Sequence, residues 1–128
     1  MIIWDFHKVK LTLLRQWRIC LHMIIIETPI FTKQITSALS EDEYRLFQLS
    51  LVERPDAGKV IPGSGGLRKL RWSAEGRGKR GGLRVIYYWF TQGRILLLFV
   101  YPKNVQGNLT DTQLKQLKKI VEEEYHGG

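Results

Sequence analysis

A run of consecutive apolar residues near the end of the chain sets the strongest constraint on the fold. The five residues from Leu96 to Val100 are all apolar, and they lie within a strand predicted over residues 95–101. A strand without a polar side is buried on both of its faces. The preceding segment, residues 83–90, is rich in β-branched and aromatic residues, and a tight turn at residues 91–94 joins the two as a hairpin. The middle of a β-sheet therefore lies here.

The first half of the domain predicts one strand and two helices. Ile24 to Ile26 are β-branched and form a short buried strand. Apolar residues at helical spacing then predict a helix over residues 30–38. Ser40 with Glu43 three residues later is a capping box, which starts a second helix that stops before Pro55.

Later segments complete the fold. After a glycine-rich turn at residues 62–66, residues 67–73 alternate between two sides as a strand does. Thr110 and Gln113 form a second capping box, for a closing helix that ends near residue 125. The order β-α-α-β-β-β-α predicts an α+β fold with a twisted antiparallel sheet of about four strands, two N-terminal helices and one C-terminal helix. We expect the helices on one face and the other face free for a ligand.

Most of the excess charge lies in one segment, residues 59–84. It holds eight lysines and arginines against the single acid Glu75, a net charge of +7 in a chain whose total is +8. Seven of the twelve glycines fall in the same segment, so its backbone can turn tightly and approach a partner closely. A cluster of this density is typical of a protein that binds nucleic acid, and the alternative is a charged loop that only maintains solubility.

Length and cysteine content bound the remaining possibilities. A chain of 128 residues with ordinary apolar content is one compact domain, which we place at residues 23–126. Residues 1–22 are predicted to be an N-terminal extension, either a short amphipathic helix or a segment outside the native domain. Arginines interrupt this segment before it reaches membrane-spanning length. The single cysteine, Cys20, fits a reducing compartment, so we expect a cytoplasmic protein without a membrane partner.

The strand region lacks the usual catalytic residues. Paired carboxylates, a catalytic histidine and metal-ligand spacings are missing there, so we expect no metal site and no cofactor. RNA supplies its own nucleophile, the 2′-hydroxyl, so cations and phenols could carry the chemistry. Lys69 and Arg71 share one side of their strand. Lys69, with arginines on both sides in sequence, could release a proton readily, or both residues could only hold phosphates.

Aromatic residues are interleaved with these cations. Trp72, Tyr87 and Trp89 alternate in predicted central strands and are expected in the core. Tyr101 ends the last strand, where its side chain can reach the exposed face of the sheet. It is therefore the aromatic residue that we consider for a site.

Four segments form a distinctive pattern in the chain: GGLRKLR at residues 65–71, GRGKRGG at 76–82, RVIYY at 84–88 and YPKN at 101–104. Together they resemble the RelE/ParE toxin superfamily, in particular its HigB-type branch. The resemblance spans residues 23–125 in order, and its most specific part is the basic glycine loop that leads into Arg-Val-Ile-Tyr-Tyr.

The resemblance implies a toxin of a type II toxin–antitoxin pair with a RelE-like, microbial-RNase-like fold. Such a toxin enters the ribosomal A site and cleaves mRNA without a metal, which inhibits translation. Its implied partners are the ribosome, mRNA and a cognate antitoxin, for which we expect an acidic contact surface. Two alternatives are a ParE-like toxin that inhibits DNA gyrase and a non-catalytic RNA-binding module.

The resemblance also implies the residues of the site. Lys69 and Arg71 match the basic pair on the second strand of the family, Arg84 the arginine that opens the third strand, and Lys103 the basic residue after the last strand. A stacking tyrosine found in some relatives has no counterpart between Gln106 and Thr112. Tyr101 is a candidate to replace it, and the resemblance does not assign the general base to one residue. The candidates for contact with RNA or the ribosome are Arg68, Arg77, Lys79 and Arg80.

Overall fold

The computed structural model describes residues 2–5, 23–73, 82–90 and 93–127. These residues form an α+β fold, as the element pattern predicts. In chain order, the elements are β1 (Ile2–Asp5), β2 (Ile24–Glu27), α1 (Pro29–Ala38), α2 (Glu41–Glu53), β3 (Lys59–Val60), β4 (Arg68–Trp72), β5 (Leu83–Phe90), β6 (Arg94–Pro102) and α3 (Asp111–Gly127).

The described strands form one sheet in the order β1-β2-β6-β5-β4-β3. The ladder of β4, β5 and β6 is antiparallel, as predicted from the hairpin signals. Two features differ from the expected antiparallel sheet of about four strands: the sheet has six described strands, and β2 pairs with β6 in parallel. The pairing of β2 joins segments about seventy residues apart, so no hairpin turn fixes its direction. β3 has only two residues, too few for a pattern.

β1 pairs antiparallel with β2, from Ile2 opposite Glu27 to Asp5 opposite Ile24. Four residues of the predicted N-terminal extension therefore belong to the edge of the sheet. The amphipathic helix considered within residues 1–22 lies outside the described residues. A domain boundary at Met23 stays a prediction.

Apolar side chains cover both faces of the sheet. On one face, Ile25 and Leu97 join a core that includes Phe31 of α1 and Phe47 of α2. On the other face, a second core joins the alternate strand residues to α3; its members are Ile26, Leu67, Ile86, Phe90, Leu96, Leu98, Tyr101, Leu117 and Val121. The expectation that all helices lie on one face is therefore wrong. The apolar run in β6 needs cover on both sides, and the stripe of α3 supplies the second cover.

An irregularity in the β5–β6 ladder decides which side chains of β6 face α3. Ile86 lies opposite Phe99 whereas Tyr87 lies opposite Leu97, so Leu98 is an extra residue in β6. Such a β-bulge shifts the alternation by one residue. Leu98 and Phe99 consequently both pack on the α3 side, and Tyr101 faces this side as well.

Beyond the end of β2, two side chains at the N-cap and within α1 form hydrogen bonds with backbone groups along the edge of β6. Thr28 caps α1 by accepting a hydrogen bond from the backbone N–H of Phe31, and its hydroxyl donates to the carbonyl of Leu98 at 2.9 Å. The side-chain oxygen of Gln34 accepts from the backbone N–H of Val100 at 3.0 Å. This edge is therefore partly closed to pairing with another strand.

Both predicted capping boxes are confirmed. At α2, the hydroxyl of Ser40 accepts from the N–H of Glu43, whose carboxylate accepts from the N–H of Ser40. At α3, Thr110 and Gln113 make the equivalent pair of bonds at 3.1 and 3.0 Å. Each box satisfies two backbone donors that the first helical turn leaves unpaired.

Candidate functional site: a cationic sheet face

The structure brings four of the predicted site residues to one face of three adjacent strands. Arg71 of β4 lies directly opposite Arg84 of β5, which lies directly opposite Tyr101 of β6. Lys69 precedes Arg71 by two residues, so it has the same orientation, and it lies opposite Ile86 of the α3-side core. Cβ atoms of directly opposed residues are about 4.5–5.5 Å apart. We call Lys69, Arg71, Arg84 and Tyr101 the cationic sheet face.

Burial differs sharply across this face. The side chain of Arg84 is 6% exposed and that of Tyr101 is 3% exposed, whereas Lys69 is half-buried and Arg71 is exposed. A buried guanidinium is costly unless a counter-charge or hydrogen-bond acceptors reach it. The only described hydrogen bond from Nη1 of Arg84 is a long one, 3.4 Å, to the carbonyl of Leu83. Arg84 is therefore suited to take up an anion.

Tyr101 combines burial with an unused hydroxyl. Among the described residues, its oxygen has no hydrogen-bond partner. Burial raises the pKa of Tyr101, and the positive charge of Arg84 acts in the opposite direction. The phenol is therefore protonated at neutral pH, when it can donate a hydrogen bond but is a poor base.

Asn108 is a residue of this region that the sequence pattern did not indicate. Its side-chain oxygen accepts a hydrogen bond from Nζ of Lys69 at 3.2 Å. Its carbonyl accepts from Nε2 of Gln106, which also donates to Gln113 of the α3 capping box. The loop between β6 and α3 therefore helps to fix the position of the Lys69 side chain. Asn108 has no motif around it, and only the tertiary contact reveals it.

Lys103 lies at the same end of the sheet. It follows β6, is exposed, and its backbone N–H donates to the carbonyl of Gly82 at 3.0 Å. This bond brings Lys103 beside the start of β5, one residue away from the Leu83–Arg84 step. Its backbone therefore lies close to Arg84, at the border of the cationic sheet face.

Arg68 does not share this face. Its Nη1 atom donates to the carbonyl of Gly58 at 2.8 Å, and its guanidinium lies 5.8 Å from the ring centroid of Trp89. Strand alternation directs the Arg68 side chain toward the α1–α2 side. Of the two arginines near Lys69 in sequence, only Arg71 therefore has its side chain on the same face as Lys69. A role of Arg68 in binding RNA stays a prediction.

The aromatic residues of β4 and β5 occupy the core, as expected. Tyr87 is fully buried, and Trp72 contacts Phe47 of α2 edge-on, with ring centroids 5.3 Å apart. Trp89 also packs against the core on the α1–α2 side. Of the aromatic residues considered, Tyr101 is the one that belongs to the cationic sheet face.

Three further candidates, Arg77, Lys79 and Arg80, lie outside the described residues. Within residues 23–73, 82–90 and 93–124, no group of three or more His, Cys, Asp or Glu side chains could hold a metal ion. The described helices include none with the length and apolar character needed to cross a membrane.

Fold and site together define a small basic α+β protein with a cationic face on the strands of its sheet. The family model described as the RelE toxin of the RelE/RelB toxin–antitoxin system matches residues 51–126, more than half of the chain. The chain belongs to this family. It is a toxin of a toxin–antitoxin system, and its partner is an antitoxin.

Proposed function

We propose that this toxin is an endoribonuclease that cleaves mRNA on the ribosome without a metal ion and so inhibits translation. The observation that carries the proposal is the shared face of Lys69, Arg71 and Arg84 on two paired strands. Three cations within reach of one another can surround a single phosphate and stabilise the charge that develops on it. Membership of the HigB-type branch, which the sequence motifs imply, belongs to the same proposal.

The reaction that suits these residues is internal transfer of the phosphate. The 2′-oxygen attacks the adjacent phosphorus while the bond from phosphorus to the 5′-oxygen breaks, which gives a 2′,3′-cyclic phosphate and a 5′-hydroxyl. One proton leaves the 2′-hydroxyl and one is taken up by the 5′-oxygen. Arg84, buried and lacking a strong described acceptor, would bind a non-bridging oxygen. Arg71 and Lys103, both exposed, would bind the flanking phosphates.

Lys69 has two possible roles in this arrangement. It can hold the phosphate as an ammonium, or it can carry the proton of the 2′-hydroxyl. The bond to Asn108 fixes its position in either case. A Lys69→Arg variant separates the roles, because arginine keeps the charge but does not give up its proton at accessible pH. Retained cleavage indicates phosphate binding, and loss of cleavage with intact RNA binding indicates proton transfer.

Tyr101 acts beside Arg84 in this proposal. Its hydroxyl is buried and protonated, so it is not the general base; instead it would donate a hydrogen bond to the anion that Arg84, directly opposite, binds. Dependence on the ribosome has a related physical reason. The sequences of β4, β5 and β6 contain no Asp, Glu or His, so precise positioning of the 2′-hydroxyl by the ribosome would supply much of the rate.

The antitoxin is expected to cover the cationic sheet face with acidic side chains. Electrostatic cover of this kind weakens as salt rises. Complex formation should therefore weaken between 50 and about 500 mM salt, and an affinity that is independent of salt would contradict acidic cover.

Alanine variants of Lys69, Arg71 and Arg84 test the reaction. We expect each to abolish growth arrest and cleavage of mRNA on translating ribosomes, while Lys33→Ala, on the exposed surface of α1, behaves like the unsubstituted protein. Growth arrest with intact transcripts and damaged DNA would instead indicate inhibition of gyrase. Arrest by RNA binding alone would leave both transcripts and DNA intact.

A further inference from the structure

A pocket of about 360 Å³ opens at the free edge of β6, beside the cationic sheet face. It exists because β2 pairs only with Arg94 to Leu97, so that no described strand pairs with the rest of β6 on this side. The end of β6 and the C-terminal half of α1 form its walls, with Val100, Tyr101 and Ala38 among the lining residues. Its volume is within the range of pockets for small ligands, roughly 300–1,000 Å³.

The lining combines apolar surface with two amide groups. The oxygen of Gln34 is used by the N–H of Val100, and no described acceptor takes its Nε2 atom. Gln106 has the reverse arrangement, because its Nε2 atom donates to Asn108 and Gln113 while no described donor uses its oxygen. One amide donor and one amide acceptor beside an apolar slot can bind the edge of a nucleobase whose ring packs on the apolar surface.

Tyr101 joins the pocket to the site. It lines the pocket and lies directly opposite Arg84. Val105, also in the lining, is 72% exposed, the most exposed of the large apolar side chains described. An apolar side chain at the mouth of a pocket, next to cations that attract phosphates, suits a partner that has both an apolar ring and a negative charge.

We propose that this pocket binds the base of a nucleotide next to the phosphate held by the cationic sheet face. The inference rests on the proposed ribonuclease function and adds a base-binding subsite to it. The pocket then contributes to the preference for one base beside the cut, since its amide groups form hydrogen bonds with some base edges and not with others.

The test uses 2′-deoxy dinucleotides, which the full-length protein cannot cleave, with each of the four bases or an abasic residue at either position. In NMR titrations, we expect the methyl signals of Val105 and Val100 to shift with at least one base and not with the abasic analogue. Val105→Asn should weaken the base-dependent binding about fivefold, as for loss of one apolar contact with the base. Val60→Asn is the matched control, because Val60 is also exposed, at 51%, and lies on the far edge strand β3.

The outcomes separate this inference from the proposed reaction. Equal affinity for abasic and base-containing dinucleotides, or equal effects of the two valine variants, would overturn the subsite. Base-dependent binding to a protein that never cleaves mRNA on ribosomes would retain the subsite and reject the nuclease. If both hold, Val105→Asn should also change the distribution of cleavage sites, whereas Val60→Asn should not.

Discussion

Replacement of Tyr101 by Phe should make this protein more stable, which few substitutions at a buried site do. The side chain is 3% exposed and its hydroxyl has no described partner. Burying an unpaired hydroxyl costs about 1–3 kcal/mol. Tyr101→Phe removes that cost and keeps the ring, so we expect the free energy of unfolding to rise by about 1 kcal/mol.

Tyr87→Phe is the matched control, with the opposite sign. The hydroxyl of Tyr87 donates to the carbonyl of Pro55 at 2.6 Å and accepts from the backbone N–H of Gly58 at 2.8 Å. Removing it leaves both groups without this partner, which costs about 1–3 kcal/mol. The two Tyr→Phe variants should therefore differ by at least about 2 kcal/mol, although the chemical change is identical.

Urea unfolding followed by tryptophan fluorescence measures both values, with equal m-values as the check that only stability has changed. In the same preparations, Tyr101→Phe should cleave mRNA on ribosomes more slowly, because the phosphate bound by Arg84 loses a hydrogen-bond donor. A Tyr101→Phe protein that is destabilised by 1 kcal/mol or more would refute the reasoning, since its hydroxyl would then have a partner in solution.

Three further outcomes are expected. Asn108→Ala should slow cleavage about fivefold, the equivalent of one hydrogen bond to Lys69, with stability unchanged within about 0.5 kcal/mol in urea unfolding. Ser40→Ala should lower the free energy of unfolding by about 1 kcal/mol through loss of the α2 capping box, whereas Ser50→Ala, exposed on the same helix, should not. Burial, followed by a hydrogen bond to a buried carboxylate, raises the pKa of Tyr44 above its ordinary value of 10.0. The stabilisation that comes from this raised pKa is complete below pH 10 and is lost above it, because the unfolded chain then releases the Tyr44 proton more readily. The free energy of unfolding should therefore fall by up to about 1.4 kcal/mol per pH unit above pH 10, and Tyr44→Phe should make this fall less steep.

Local patterns predicted the secondary structure because local physics determines it. The capping boxes at Ser40 and Thr110, the hairpin around Gly93 and the alternation of β4 each depend on residues within a few positions. Gly93 has the positive φ of 83° that such a turn requires and that glycine adopts without strain. Lys69 and Arg71 share a face for the same local reason.

The structure corrected what depends on distant segments. The position of α3 on the second face follows from burial of both faces of the sheet. The parallel pairing of β2 and the addition of β1 and β3 come from strand pairing that no local pattern shows. The sequence of β6 indicates that both faces are covered but not by which helix.

By itself, the sequence determined the strands β2, β4, β5 and β6, where the helices begin, and that Lys69 and Arg71 point the same way. Only the tertiary structure decided that Arg84 and Tyr101 join them. The register between β4 and β5 sets Arg84 opposite Arg71, and the bulge at Leu98 shifts the alternation of β6 so that Tyr101 faces the same side. Only the fold, too, added Asn108 to this group. The physical reason is that a strand fixes the alternation of its own side chains, whereas the register between strands and the docking of loops depend on the packing of the whole molecule.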